Sequence, residues 1–113
     1  MKYYVTDKGK FKMVHIEGDL LINKRYGEIN KTVLSLIKEG YHHFAFNLEK
    51  LSCIDSSGIS VFINCLCDVQ EHNGSIFLIV PDAEVREIIE LVGLNRLIKT
   101  YETEHDFEKE QMV

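Results

Sequence analysis

The sequence predicts an α/β fold in which helices flank a single, open and mostly parallel β-sheet. Apolar segments of strand length alternate along most of the chain with segments whose apolar residues recur every three or four positions. Strands that alternate with helices need crossover connections, and such connections give parallel pairing. The first two strand-like segments are joined by a short turn instead, so an antiparallel strand is expected at the amino-terminal edge of the sheet.

The amino-terminal elements are predicted to be two strands and a helix. Residues 11–18 alternate partly between apolar and polar side chains, and residues 3–5 precede the turn at residues 7–10, which together predict a hairpin. The helix that follows is indicated by apolar residues at three- and four-residue spacing, and it should end near Gly40. These apolar residues are Tyr26, Ile29, Val33, Leu36 and Ile37.

The middle of the chain contains two apolar strands with a helix between them. Residues 43–48 and 75–80 are runs typical of strands buried on both faces, and Pro81 ends the second. Residues 57–72 are too long for a strand and predict a well-buried helix that stops at residues 73–74. Both Cys65 and Cys67 are expected to pack in the core from this helix, since residues two apart on a helix cannot easily share a metal or a disulfide.

The remaining elements complete the alternation. A helical stripe that closes at Gly93 is formed by Val85, Ile88, Ile89 and Val92. Residues 97–100 predict a short final strand, and the acidic residues 102–110 form either a last helix or a frayed end. No internal repeat or linker is evident, so residues 1–113 are expected to form a single domain.

Composition narrows the classes of function. A net charge of −5 with scattered Lys and Arg argues against binding to nucleic acid or to a membrane surface. No apolar run reaches the roughly 18 residues that a membrane helix needs, and the first residues lack the apolar region of a signal peptide. Three cysteines, an odd number, fit a reducing compartment better than a disulfide framework. The sequence therefore predicts a cytoplasmic protein.

The most informative segment is residues 47–63, in which a buried strand is followed by a polar turn and a helix start. Asp55 and Ser56 are both residues that cap helices, because their side-chain oxygens accept the unpaired backbone N–H groups of the first turn. Gly58 permits close approach of other backbone. A phosphate on a serine at this position would be tolerated, since helix amino termini favour negative charge.

This segment, NLEKLSCIDSSGISVFI, resembles the signature of STAS domains of the anti-sigma factor antagonist type. The likeness continues in Gly18-Asp19-Leu20 after an early strand and in EVREIIELVGLNRLIKTYET near the end of the chain. It covers nearly the whole sequence. Two positions depart from the family pattern: Leu21 replaces a second acidic residue, and Ser60 replaces a glycine.

The resemblance implies a phosphorylation switch at Ser56. The partner would be an anti-sigma factor of the ATP-binding serine-kinase type, which binds the unphosphorylated protein and releases a sigma factor, and a phosphatase would reverse the modification. The expected partner-binding residues are Asp19, Asp55, Ser56, Ser57 and Gly58. The contact surface should also include the turn at residues 19–23 and the helix start at residues 82–84. ATP belongs to the kinase, so no cofactor is expected in this chain.

Other classes of function have less support in the sequence. No motif of a hydrolase, metalloprotease or nucleotide-binding enzyme is present, and the five histidines lack ligand spacing, so neither catalysis nor a metal site is expected. The main alternative keeps the fold without the switch, as a scaffold or accessory subunit of a transport or sensory assembly, and Leu21 favours it. A small-ligand or nucleotide-binding module has no motif behind it.

Overall fold

The structure is a computed structural model that describes residues 2–20 and 26–112. These residues form six strands and four α-helices. The strands are β1 (Lys2–Lys8), β2 (Phe11–Leu20), β3 (His43–Asn47), β4 (Leu51–Ile54), β5 (Ser75–Ile79) and β6 (Lys99–Tyr101). The helices are α1 (Tyr26–Lys38), α2 (Ser56–Glu71), α3 (Ala83–Leu91) and α4 (Glu104–Gln111), and a 3-10 turn at Leu94–Arg96 precedes β6.

The predicted α/β class is confirmed. The sheet has the order β1-β2-β3-β5-β6, with β1 antiparallel to β2 at one edge and the other pairs parallel. Antiparallel pairing of the first two strands follows from the two-residue connection at residues 9–10. The acidic tail forms a helix, α4, which was one of its two predicted states.

One strand, β4, was missed by the sequence analysis, which assigned these residues to a polar turn. It lies parallel to the last part of β2, where Gly18 pairs with Leu51 and Asp19 with Cys53. The register shifts between Gly18 and Asp19, and Gly18 has φ of 84°, a left-handed conformation that favours glycine. This bulge lets β2 continue alongside β4 after its pairing with β3 has ended.

The sheet separates two apolar clusters. Strand residues alternate between its faces, so Val14 and Phe46 lie on the side covered by α1, α2 and α3, while Met13 and Ala45 lie on the side covered by α4. The first cluster is the larger, and the second is closed by Phe107 of α4, which is fully buried. Strand β3 is buried on both faces over most of its length, as predicted.

The end of α2 was predicted correctly, but two residues expected on buried faces of the helices are exposed. Helix α2 ends as predicted before residues 73–74: Asn73 adopts a left-handed φ of 56°, and a Cβ at Gly74 would lie 2.0 Å from the carbonyl oxygen of His42. The prediction that Cys67 is buried is wrong, because that thiol is exposed. Val92 is also exposed, since it caps α3 instead of belonging to its buried stripe.

Candidate functional site

The first turn of α2 is held by Asp55. This residue has extended backbone angles and is the N-cap, and its Oδ1 accepts hydrogen bonds from the backbone N–H groups of Ser57 at 2.9 Å and Gly58 at 3.2 Å. The backbone carbonyl of Asp55 accepts from Ile59 N–H at 3.0 Å. Asp55 therefore satisfies two of the four N–H groups that a helix amino terminus leaves unpaired.

Ser56 is the first helical residue and does not cap the helix, in contrast to the sequence analysis, which considered both residues as caps. Its side chain is exposed, and its hydroxyl makes no hydrogen bond to any residue in the described ranges. Its backbone carbonyl accepts a hydrogen bond from the Ser60 hydroxyl at 2.9 Å. The Ser56 hydroxyl is thus accessible to an external reagent without any loss of helix capping.

The residues after Ser56 turn into the protein. Ser57 is half-buried, and Gly58 is buried. Their N–H groups are the two that Asp55 binds, so both residues belong to the capped turn. Of the two serines, only Ser56 presents its side chain openly to solvent.

Asp19 lies at the same end of the sheet, on the part of β2 that pairs with β4. Its Oδ1 accepts a hydrogen bond from the hydroxyl of Ser52 at 2.8 Å, and both side chains are exposed. Since β4 leads directly into Asp55, this bond joins the strand that carries Asp19 to the strand that delivers the capped turn. Leu21 and the rest of the turn at residues 19–23 beyond Leu20 lie outside the described residues.

The start of α3 repeats the arrangement at α2. Asp82 is its N-cap, and its Oδ1 accepts from Glu84 N–H at 2.8 Å and Val85 N–H at 3.1 Å. Helix α3 packs against β4, and it follows β5, so its amino terminus lies at the carboxyl edge of the parallel strands like that of α2. Such edges are where α/β folds gather their binding sites.

Asn47, which the sequence analysis did not single out, is a buried polar residue at the end of β3, with 5% of its surface exposed. Its Nδ2 donates to Oε1 of Glu104 on α4 at 2.9 Å, and its Oδ1 accepts from the backbone N–H of Glu49 at 2.9 Å. Lys8 hydrogen-bonds to the same carboxylate and holds the pKa of Glu104 below its ordinary value. A polar side chain at the end of an otherwise apolar strand was the signal available in the sequence.

The other reactive side chains within residues 2–20 and 26–112 do not form a metal site. No group of three or more His, Cys, Asp or Glu side chains there is placed to hold a metal ion. Burial raises the pKa of the Cys65 thiol to about 12, while Cys53 and Cys67 are exposed. No helix of the described residues is long and apolar enough to span a membrane.

The sequence matches that of a known domain family. The profile of the STAS domain matches residues 4–107. The chain belongs to the STAS domain family. This STAS domain has the fold of the Bacillus cell fate determinant SpoIIAA in its phosphorylated form, with a TM-score of 0.73 at 19% identity over 96% of this chain and 97% of that one.

Two curated relatives of this STAS domain are similar over different lengths. A Thermotoga maritima protein described as a candidate anti-sigma factor antagonist is 28% identical over 67 residues, which are 59% of this chain. The matched part spans 59% of that relative's own length. The anti-sigma-B factor antagonist of Staphylococcus aureus is 23% identical over 97 residues, or 86% of this chain and 89% of the relative.

Proposed function

We propose that this STAS domain is an anti-sigma factor antagonist that is switched by phosphorylation of Ser56. In its unmodified state it binds a cytoplasmic anti-sigma factor of the ATP-binding serine-kinase type, which frees a sigma factor. The kinase transfers the γ-phosphoryl group of ATP to Oγ of Ser56, releasing ADP and the hydroxyl proton, and the complex separates. A phosphatase hydrolyses the phosphoserine and restores binding.

The exposed hydroxyl of Ser56, which makes no hydrogen bond to the residues that the structure describes, is the observation that carries this proposal. A phosphoacceptor must enter the active site of a kinase without the surrounding fold coming apart. Ser56 meets this condition because Asp55, and not Ser56, holds the first turn of α2. The names of the relatives from T. maritima and S. aureus support the choice of an anti-sigma factor as partner.

A phosphate at Ser56 would act through its charge at the contact surface. It adds about −1.5 to −2 charges directly beside Asp55. The N–H groups of Ser57 and Gly58 already bind Asp55, so they are not available to the phosphate unless the cap is broken. The new charge therefore faces outwards, where a like charge placed opposite it in an interface costs several kcal/mol. We expect the affinity for the kinase to fall roughly a hundredfold or more.

The surface that meets the partner would extend from Ser56 along the carboxyl edge of the sheet. It includes Asp19, the capped turn formed by Asp55, Ser57 and Gly58, and the start of α3 at Asp82. All of these carry or adjoin negative charge. A kinase partner that places acidic or unpaired polar groups opposite Ser56 would bind the unmodified form and be repelled by the phosphate. Rearrangement around the added phosphate would be confined to this edge.

Phosphorylation in vitro tests the proposal directly. The protein is incubated with the serine-kinase anti-sigma factor of the same organism and ATP, and intact mass and tandem mass spectra are recorded. One phosphate on Ser56 is expected, with none on the Ser56→Ala variant. Ser57→Ala and Ser60→Ala are matched controls, since they remove neighbouring hydroxyls and should leave the modification unchanged. Phosphate mapping mainly to Ser52, Ser57 or Ser60 would refute the assignment.

Two further measurements separate a switch from a passive helix start. Ser56→Asp adds one charge but lacks the third oxygen of a phosphate, so it should lose part of the affinity that phosphorylation removes. Amide spectra of the modified protein should change mainly at residues 54–60 and near Asp19. If shifts spread across the whole sheet, or if the modified protein binds the kinase as tightly as before, the mechanism is wrong.

The alternative function, a scaffold or accessory subunit without a switch, predicts different results. Leu21, which replaces an expected acidic residue, is the feature that favours it. In that case the unmodified protein would neither bind the kinase nor accept phosphate, while the fold and the Asp55 cap would be unchanged. Restoring the acid with Leu21→Asp and repeating the kinase assay distinguishes a weakened substrate from a protein that never was one.

A further inference from the structure

The carboxy-terminal helix is attached to the sheet by one buried aromatic side chain and by several charged ones. Phe107 is its one buried residue. Around that anchor, Lys8 of β1 forms ion pairs with Glu104 and Glu108, and Lys99 of β6 pairs with Glu110. Helix α4 lies on the face of the sheet opposite to α2, so it does not touch the capped turn of Ser56 directly.

Asn47 connects this helix to the candidate switch through the sheet. The amide nitrogen binds Glu104 on one side, and the amide oxygen binds the N–H of Glu49 on the other. The second bond closes the turn between β3 and β4. The backbone carbonyl of the next residue, Lys50, accepts a hydrogen bond from Gly18 N–H at 2.9 Å, which starts the pairing of β4 with β2.

The position of this turn sets where β4 begins. Strand β4 has four residues, and Asp55 follows it at once. A change in the turn at Glu49 therefore has few residues over which to be absorbed before it reaches the cap. The buried ends of β4, Leu51 and Ile54, fix its depth in the core but leave its path along β2 to backbone pairing.

We infer that Asn47 is a positioning residue that transmits the docking of α4 to the start of α2, which carries Ser56. Docked α4 presents Glu104 to Asn47, which orients the amide so that its oxygen holds Glu49 and β4 starts in register with β2. Undocking of α4 frees the amide to rotate and loosens the turn. A partner or modification that acts on α4 would then change how Ser56 is presented. The consequence for phosphorylation rests on the proposed function, whereas the coupling itself does not.

Exchanging the hydrogen-bond donor and acceptor between Asn47 and Glu104 tests the proposed coupling. Asn47→Asp keeps the acceptor for Glu49 but places a carboxylate against Glu104. Glu104→Gln alone keeps an acceptor for the Asn47 amide. The double variant Asn47→Asp/Glu104→Gln restores a donor and an acceptor in reversed order. Glu110→Gln is the matched control, because it removes an ion pair of the same helix at the end remote from Asn47.

The readouts are the amide shifts of residues 49–56 and the initial rate of Ser56 phosphorylation by the serine-kinase anti-sigma factor. Asn47→Asp should shift these amides and lower the rate about fivefold or more, a magnitude typical of coupled sites. Glu104→Gln and Glu110→Gln should have amide shifts and a phosphorylation rate near those of the wild type. The double variant should recover most of the rate and of the wild-type shifts. A double variant no better than Asn47→Asp, or equal shifts in Glu110→Gln, would overturn the inference.

Two arrangements keep the test decisive. If Asn47→Asp does not fold, Glu104→Ala is used instead, because it removes the acceptor of the Asn47 amide without introducing a buried charge. It should shift the amides of residues 49–56, whereas Glu110→Ala should not. If the wild-type protein is not phosphorylated at all, the proposed function fails, but the amide shifts still decide whether α4 and the β3–β4 turn are coupled. Unchanged shifts at residues 49–56 in Glu104→Ala would refute that coupling.

Discussion

Replacing Asp55 should destabilise the protein and replacing Ser56 should not, although the two residues are adjacent. Asp55→Ala removes the oxygen that accepts from Ser57 N–H and Gly58 N–H. Loss of a helix cap of this kind costs about 0.5–2 kcal/mol, typically ~1 kcal/mol. Ser56→Ala removes an exposed hydroxyl that makes no hydrogen bond within the described residues, so we expect a change below about 0.5 kcal/mol.

Urea denaturation measures this contrast. With a slope of about 2 kcal/mol per molar for a domain of this size, the Asp55→Ala midpoint should fall by roughly 0.5 M, and that of Ser56→Ala should barely move. Asp82→Ala is the matched control, because Asp82 caps α3 with the same pair of bonds and should cost a similar amount. If Ser56→Ala were as destabilising as Asp55→Ala, Ser56 would have a structural role and the argument that it is free for modification would fail.

Three other predictions concern charge, backbone and thiols. Lys8 lowers the pKa of Glu104. The ionised Glu104 therefore stabilises the fold above its ordinary pKa, and this stabilisation is lost as the pH falls through the lower folded value. Thermal unfolding measured between pH 6 and 3 should show a smaller loss of stability for Glu104→Gln than for the wild type. Gly18→Ala should destabilise the fold by about 1–2 kcal/mol, measured in urea, because φ at this residue is 84°. A thiol reagent at pH 8 should label Cys53 rapidly and Cys65 only on unfolding, because burial raises the Cys65 pKa to about 12.

Each of these has a clear contrary result. Identical pH profiles for the wild type and Glu104→Gln would mean that the ion pair does not stabilise the folded state. A neutral Gly18→Ala would show that β2 can pair with β4 without the bulge. Labelling of Cys65 in the native protein at the rate of Cys53 would mean that α2 opens readily.

The sequence was a good guide where local periodicity and packing agree. Strand β3 and helix α2 were found because long apolar runs leave few alternatives to burial. Strand β4 was not found, since Leu51 and Ile54 are buried while the two residues between them are exposed, and this spacing matches neither a strand nor a helix. Its pairing depends on a bulge at Gly18, more than 30 residues earlier, and a local sequence pattern cannot identify a partner that far away.

Within the candidate site, residue type was predictable but role was not. Asp55 and Ser56 can both cap a helix, and only the backbone conformation decides between them: Asp55 is extended, with φ of −121°, and Ser56 is already helical. The link between Asn47 and Glu104 joins residues 57 positions apart, so it needed the fold to be seen. Phosphorylation of Ser56 and the partner-binding roles remain predictions.

The pairing of β4 has a consequence for how the protein opens. Strand β3 is hydrogen-bonded on both sides, to β2 and β5, whereas in the described part of the chain β4 pairs only with β2. A segment with one neighbour can detach at a free energy well below that of global unfolding. Amide hydrogens of Leu51–Ile54 should therefore exchange with solvent sooner than those of His43–Asn47, and the segment that precedes Ser56 should open while the rest of the sheet remains intact.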